Sequence, residues 1–214
     1  MGLNWNKSAA GNFSPVCVVG CVFCLMLLAR PALAAEGEAA QRETFAKQYK
    51  DKDPQKRVEA VKSLKGVSEG KSISLLAGAL KDAVPLVRRA AAETLQSVSD
   101  GGGVAVKPLC TLLENKGEQP PIRLAAARAL AKGPYKADAI KSLIVAISLE
   151  ESDVLLYAFG EDCTMILDKV AGQDFGVDKD TPGKWKSWWK DNQAKVIEQD
   201  RQTLAAYKKS GAGK

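Results

Sequence analysis

From Asp53 onward, apolar positions recur every three or four residues in short runs broken by glycine and proline. That period lays apolar side chains along one stripe of a helix. Val58, Val61 and Leu64 form such a stripe, opened by Asp53-Pro54 and closed by Gly66 and Gly70. Asp is a good N-cap, and proline suits the first helical position, where its missing N–H costs nothing. Ile73, Leu76, Ala77 and Leu80 make a second stripe, so the two together predict a helical hairpin. A second unit begins near Asp82. Pro85 lies early in its first helix, and Val87, Ala91, Thr94, Leu95 and Val98 face inward. Gly101-Gly102-Gly103 ends that helix, and the next runs to about Glu114 with Val106, Leu109, Cys110 and Leu113. A third unit opens at Pro120-Pro121 and stops at Gly133-Pro134; its partner helix, about Lys136 to Leu149, carries Ala139, Ile140, Leu143, Ile144 and Ile147. A fourth, degenerate unit runs from near Ser152 to Gly172, with Leu155, Leu156, Phe159, Cys163, Ile166, Leu167 and Val170 apolar.

The units are copies of one pattern. Lys56 to Leu64, Pro85 to Leu95 and Ile122 to Leu130 each hold an arginine (Arg57, Arg88, Arg123) seven residues before a leucine. Leu64, Leu95, Leu130 and Leu167 follow one another at intervals of 31, 35 and 37 residues. Such a period marks a stack in which no unit buries its apolar face alone.

At these residues the chain resembles the HEAT-repeat family, most closely in Asp-Pro-x-x-Arg at 53 to 57 and in Asp82 followed by Val87-Arg88. The short intervals resemble the short bacterial version of the repeat, also seen in phycobilin-lyase-like proteins. The resemblance covers Asp53 to Gly172. It implies an all-α fold, a right-handed α-solenoid of about four helical hairpins. It also implies a ladder in which the recurrent arginines bond an aspartate in a neighbouring turn: Asp53, Arg57, Asp82, Arg88 and Arg123, with Asp53 and Asp82 as acceptors. Arginine suits such bidentate pairs. The alternative is an anion-binding stripe. The fold leaves function open, since HEAT units serve scaffolds, lyases and DNA glycosylases.

Residues 173–209 close the chain. Gly172-Gln173-Asp174-Phe175-Gly176 precedes a helix that starts at Thr181-Pro182 and places Trp185, Trp188 and Trp189 on one face. This pattern looks like the closing motif of exported bacterial HEAT-repeat proteins. Phe175, Trp185, Trp188 and Trp189 are expected to cap the last unit, because a solenoid end exposes an apolar face. The other reading is an aromatic platform for sugar or peptide, flanked by Lys184, Lys186 and Lys190. Residues 210–214 are expected to be a disordered tail.

The N-terminal side reads as targeting. Val16 to Ala29 is an unbroken run of apolar residues, glycine and cysteine behind Lys7, with Ala32-Leu33-Ala34 after it. The run is short for a membrane span and fits a secretory signal, residues 1–34, cleaved after Ala34. A lipobox-like Val18-Val19-Gly20-Cys21 and an uncleaved anchor are the rival readings. Residues 35–52, with Phe45 and Tyr49 four apart, fit either a helix capping the first unit or a loose linker.

Composition then narrows the function. The chain has no histidine, which excludes Ser-His-Asp and Cys-His catalysis and histidine-ligated zinc or haem. The signal removes Lys7 and Arg30 and no acid. The mature charge falls from +6 to +4 (29 basic, 25 acidic residues), which gives no footing for nucleic acid. Cys110 and Cys163, a whole helical unit apart, read as two buried free thiols. Glu150-Glu151 and Glu161-Asp162 are adjacent pairs that diverge on a helix, so neither converges on a substrate. Gly101-Gly102-Gly103 lacks the Lys and Ser/Thr of a phosphate loop. No cofactor or metal pattern appears. The expectation is a non-catalytic, exported scaffold, periplasmic or extracellular, with no stable membrane insertion after signal cleavage. It would bind another protein through Lys71–Leu80, Val104–Glu114 and Lys136–Leu149. The alternatives are a lyase-like, chromophore-handling enzyme and a nucleic-acid binder.

Overall fold

Prolines set the rhythm of the architecture. Each of three helices begins on one, where its fixed φ and absent N–H suit the first turn: α2 (Pro54–Ser63), α4 (Pro85–Leu95) and α6 (Pro120–Lys132). A computed structural model of the chain describes residues 37–98, 103–149 and 157–209. The expected signal, the tail, Gly101-Gly102 and Glu150-Glu151 lie outside the described residues. Within them every regular element is helical. The others are α1 (residues 37–48), α3 (Gly70–Ala79), α5 (Val106–Glu114), α7 (Lys136–Leu149), α8 (Tyr157–Ala171) and α9 (Thr181–Lys209).

The helices pack as two rows. α2 packs on α4, α4 on α6 and α6 on α8; in the second row α5 packs on α7 and α7 on α9. α3 lies against α4, α5 against α6, and α7 against both α6 and α8. This is an α-solenoid of helical hairpins, as the sequence period predicts. Leu64, Leu95, Leu130 and Leu167 are all buried on α2, α4, α6 and α8 or at their ends. Alanines crowd the same row. Ala60, Ala90, Ala91, Ala92, Ala125, Ala126, Ala127 and Ala129 are buried, and such small side chains let neighbouring helices approach closely. The larger Ile73, Leu76, Leu113, Ile140 and Leu143 come from the second helices and fill the space between the rows.

Both ends of the stack are closed by a further helix. At the first end, Glu38 of α1 accepts hydrogen bonds from Ser68 N (2.7 Å) and Glu69 N (3.0 Å), at the amino end of α3. Arg42 pairs with Glu69 and reaches Ser72 Oγ, while Phe45 is buried and stacks on Tyr49. Over the described residues α1 therefore lies on the first hairpin, at the amino end of α3. At the other end α9 packs on α7, and buried Asp200 accepts Ala137 N at 2.7 Å, at the amino end of α7. The fourth unit thus contributes α8 alone over residues 157–171, and the tryptophan-bearing helix stands beside α7 in the second row.

Candidate functional site

Three features bear on function: the arginine rungs on the turns, the outer side of the second helices, and the aromatic cap.

Arg57 and Arg88 each stand three residues past a helix-opening proline, which aims the guanidinium back over the turn. The Nη1 of Arg57 donates to Asp51 O (2.9 Å) and Lys52 O (3.2 Å), and that of Arg88 to Asp82 O (2.8 Å) and Ala83 O (3.1 Å). The remaining fork points to the next turn. Arg57 Nε and Nη2 bind the two carboxylate oxygens of Asp82 at 3.0 and 3.1 Å; Arg88 Nε and Nη2 bind those of Glu118 at 2.5 and 3.0 Å. Each arginine therefore ties its own turn to the following one. Burial works against ionisation of Asp82, but hydrogen bonds from Arg57, Val84 N and Tyr49 outweigh it and hold the carboxyl below its ordinary range. Glu118 is held down in the same way: burial opposes, and Arg88 and Gln119 N prevail. The Tyr49 hydroxyl donates to Asp82 at 3.0 Å; burial and that anion push the phenol up to about 12.

One of the five expected ladder residues, Asp53, departs from the pattern, and another, Arg123, lies deeper than the other arginines. Asp53 does not accept from an arginine: its extended backbone ahead of Pro54 folds the carboxylate over the first turn of α2, where it accepts Gln55 N at 2.9 Å. Arg123 is swallowed by the core, at 1 % exposure. Its Nε donates to Leu113 O at 2.8 Å, and its guanidinium lies 4.3 Å from the Phe159 ring centroid. Sequence reasoning missed Glu118, although a signal was present. Asp51, Asp82 and Glu118 each precede a helix-opening proline by two or three residues.

On the second helices, Lys71, Ser74 and Gly78 of α3, Lys107 and Thr111 of α5, and Lys136, Asp138 and Lys141 of α7 are exposed. Each helix thus buries one side and offers a polar side, with one of Lys71, Lys107 and Lys141 on each. Cys110, expected to be buried, is only half so because it sits at the edge of the buried stripe; burial raises its thiol pKa. Cys163 is fully buried, and neither cysteine is in a disulfide. Glu161 and Asp162 are half-buried on α8.

The aromatic cap is built around Trp185, which is fully buried. Phe175 and Trp188 meet it edge to face, with ring centroids 4.8 and 5.4 Å away. Trp188 and Trp189 are half-buried. Gly172 and Gly176, both at φ +68°, turn the chain on either side of Phe175 so that its ring folds back on the helix. Below the turn, Asp168 on α8 carries a buried carboxylate oxygen without a hydrogen-bond partner among the described residues. Burial and the nearby Asp174 carboxylate push its pKa up to about 6. Outside the cap lies an open cleft of about 810 Å³, lined by Phe175 and Trp188 and by Lys179, Lys184 and Lys186.

Residues 43–131 match the family model for HEAT repeats, which spans α2 to α6 and both arginine rungs. A comparison with the curated proteins and with the solved structures finds no match.

Proposed function

We propose that this chain is a non-catalytic interaction scaffold of the cell envelope or exterior, binding another protein along the outer side of its second helices. HEAT repeats in general mediate protein–protein scaffolding, and residues 43–131 carry such repeats. The observation that carries the reading is the division of labour between the two edges of the stack. Arg57 and Arg88 spend every donor described above on turns of the chain itself. The turn edge is thereby committed to internal bonding, which argues against the anion-binding stripe. The second helices keep Lys71, Lys107 and Lys141 exposed on rigid elements. Rigid elements spare a binding partner much of the ordering cost of association.

Export rests on the apolar run from Val16 to Ala29 and on Ala32-Leu33-Ala34. Among the described residues no helix is long and apolar enough to cross a membrane. Site-specific photocrosslinking in the producing cell tests the surface. A crosslinker at Lys71, Lys107 or Lys141 should trap one and the same protein, and a crosslinker at Lys62, Arg89 or Arg128 on the first helices should not. Equal trapping from both rows, or none from the second helices, overturns the reading. Mass spectrometry of the mature N-terminus tests the location: a chain beginning at Ala35 is expected.

A further inference from the structure

We propose that the cleft beside the aromatic cap is a second binding site, separate from the second-helix surface, and that it takes an acidic peptide segment bearing an apolar side chain. The cleft is shallow and open, with about 810 Å³ above its floor, the form of a surface groove that an extended chain lies along and not that of an enclosed small-molecule pocket. Its apolar part comes from Phe175 and Trp188, both only half-buried although they are the outer members of the cap. Trp185 is the fully buried ring of the cap, and Phe175 and Trp188 pack on it from outside while keeping part of their surface exposed.

Its polar part is mostly cationic. Lys179, Lys184 and Lys186 line it, all exposed, and Asp180 is its acidic member. The wall is already ordered. Asp178 accepts Asp180 N at 2.8 Å and Lys184 Nζ at 2.7 Å, and Thr181 Oγ1 donates to Gly176 O at 3.1 Å. The site also opens at the amino end of α9, a 29-residue helix whose first-turn N–H groups favour an anion. Aromatic rings beside lysines on a fixed helix suit a chain in which apolar and carboxylate side chains alternate.

The same arrangement disfavours the other polyanions. A phosphate backbone needs an evenly positive track, and here Asp178 and Asp180 stand among the lysines.

The test uses the full mature chain and its own tryptophan emission, since Trp188 lines the cleft. The probes are a short capped peptide of glutamates around one phenylalanine, the same peptide with lysine for glutamate, and an oligogalacturonate. The expected result is saturable binding of the glutamate peptide alone. It should weaken at least about tenfold in the Lys179→Glu/Lys186→Glu variant, and it should weaken as salt rises from roughly 50 to 500 mM. Both lysines are exposed, and binding is compared at a temperature where the thermal unfolding curves show parent and variant fully folded. Equal binding of the lysine peptide, unchanged binding by the variant, binding of the oligogalacturonate alone, or no binding of any probe overturns the proposal. None of these outcomes touches the second-helix surface, which the crosslinking experiment tests by itself.

Discussion

Replacing Arg88 by lysine keeps the charge and removes the fork, so it isolates what the rung geometry contributes. Arg88 makes two bonds to Glu118, whose side chain is 3 % exposed, and two to the carbonyls of Asp82 and Ala83. Removing one partner of a buried ion pair costs about 3–5 kcal/mol, because the other charge is left stranded. Arg88 itself keeps 19 % exposure, so water relieves part of that penalty and the lower end applies. Arg88→Ala should therefore cost about 3 kcal/mol. Lysine can hold one carboxylate oxygen but not both, and not the two carbonyls as well. Charged hydrogen bonds are worth about 1.5–3 kcal/mol each, and part of the loss returns through water, so Arg88→Lys should cost about 1–2 kcal/mol.

The adjacent Arg89 supplies the control. It pairs with Glu93 on the helix surface, where both side chains are about half exposed. Such a pair is worth about 0.3–0.5 kcal/mol, so Arg89→Ala should barely register. Urea unfolding followed by far-ultraviolet circular dichroism reads the difference. With a slope near 2 kcal/mol/M, Arg88→Ala should move the midpoint down by about 1.5 M and Arg88→Lys by about 0.5–1 M. A double-mutant cycle with Glu118→Ala should give a coupling above about 1 kcal/mol. If Arg88→Lys unfolds with Arg89→Ala, the rung is not a structural tie, and the argument that commits this edge to internal bonding fails with it.

Two further predictions concern acids that the structure sets in opposite environments. At Asp168 the folded pKa of about 6 lies above the unfolded value, so its carboxylate destabilises the fold at neutral pH and the penalty fades as pH falls from about 6 toward 4. Asp168→Asn should raise the melting temperature at pH 7.5 and leave it unchanged at pH 4; an equal effect at both would refute the assignment. The two capping acids should also part company. Burial opposes ionisation of Glu38, but bonds from Ser68 and Glu69 prevail and lower its pKa, whereas burial prevails at Asp200 and raises it. Glu38→Gln should lower thermal stability by about 1 kcal/mol, and Asp200→Asn, which keeps a good cap and drops the charge, should be neutral or stabilising in the same calorimetric scan.

The parts of this molecule that repeat were legible in the sequence, because repetition is itself the signal. Three prolines, three arginines and four leucines kept step through α2, α4, α6 and α8, and each landed where the period put it. What spacing could not supply was side-chain direction. Asp53 and Asp51 are two residues apart, yet one covers its own helix and the other supplies a carbonyl to Arg57. The bond between Glu118 and Arg88 joins residues 30 apart across two turns, and only the packed stack brings them together. Arg123 kept the linear pattern but sits deeper than Arg57 and Arg88, with its guanidinium over the Phe159 ring of α8. Phe45 and Tyr49 announced a helix with one apolar face, but the decision between cap and linker came from Glu38, whose role depends on the distant amino end of α3.

Those tertiary details also bear on where a partner can sit. Glu38 and Asp200 cover the amino ends of α3 and α7. Arg57 and Arg88 stitch the turns of the first helices together. The rungs and caps described above are thereby placed at helix ends and on turns. The exposed sides of α3, α5 and α7 are excused from that duty, so their residues can vary without cost to the stack. A surface that is held rigid from its ends while its own side chains carry no structural obligation is the one on which recognition can be built at least expense to stability.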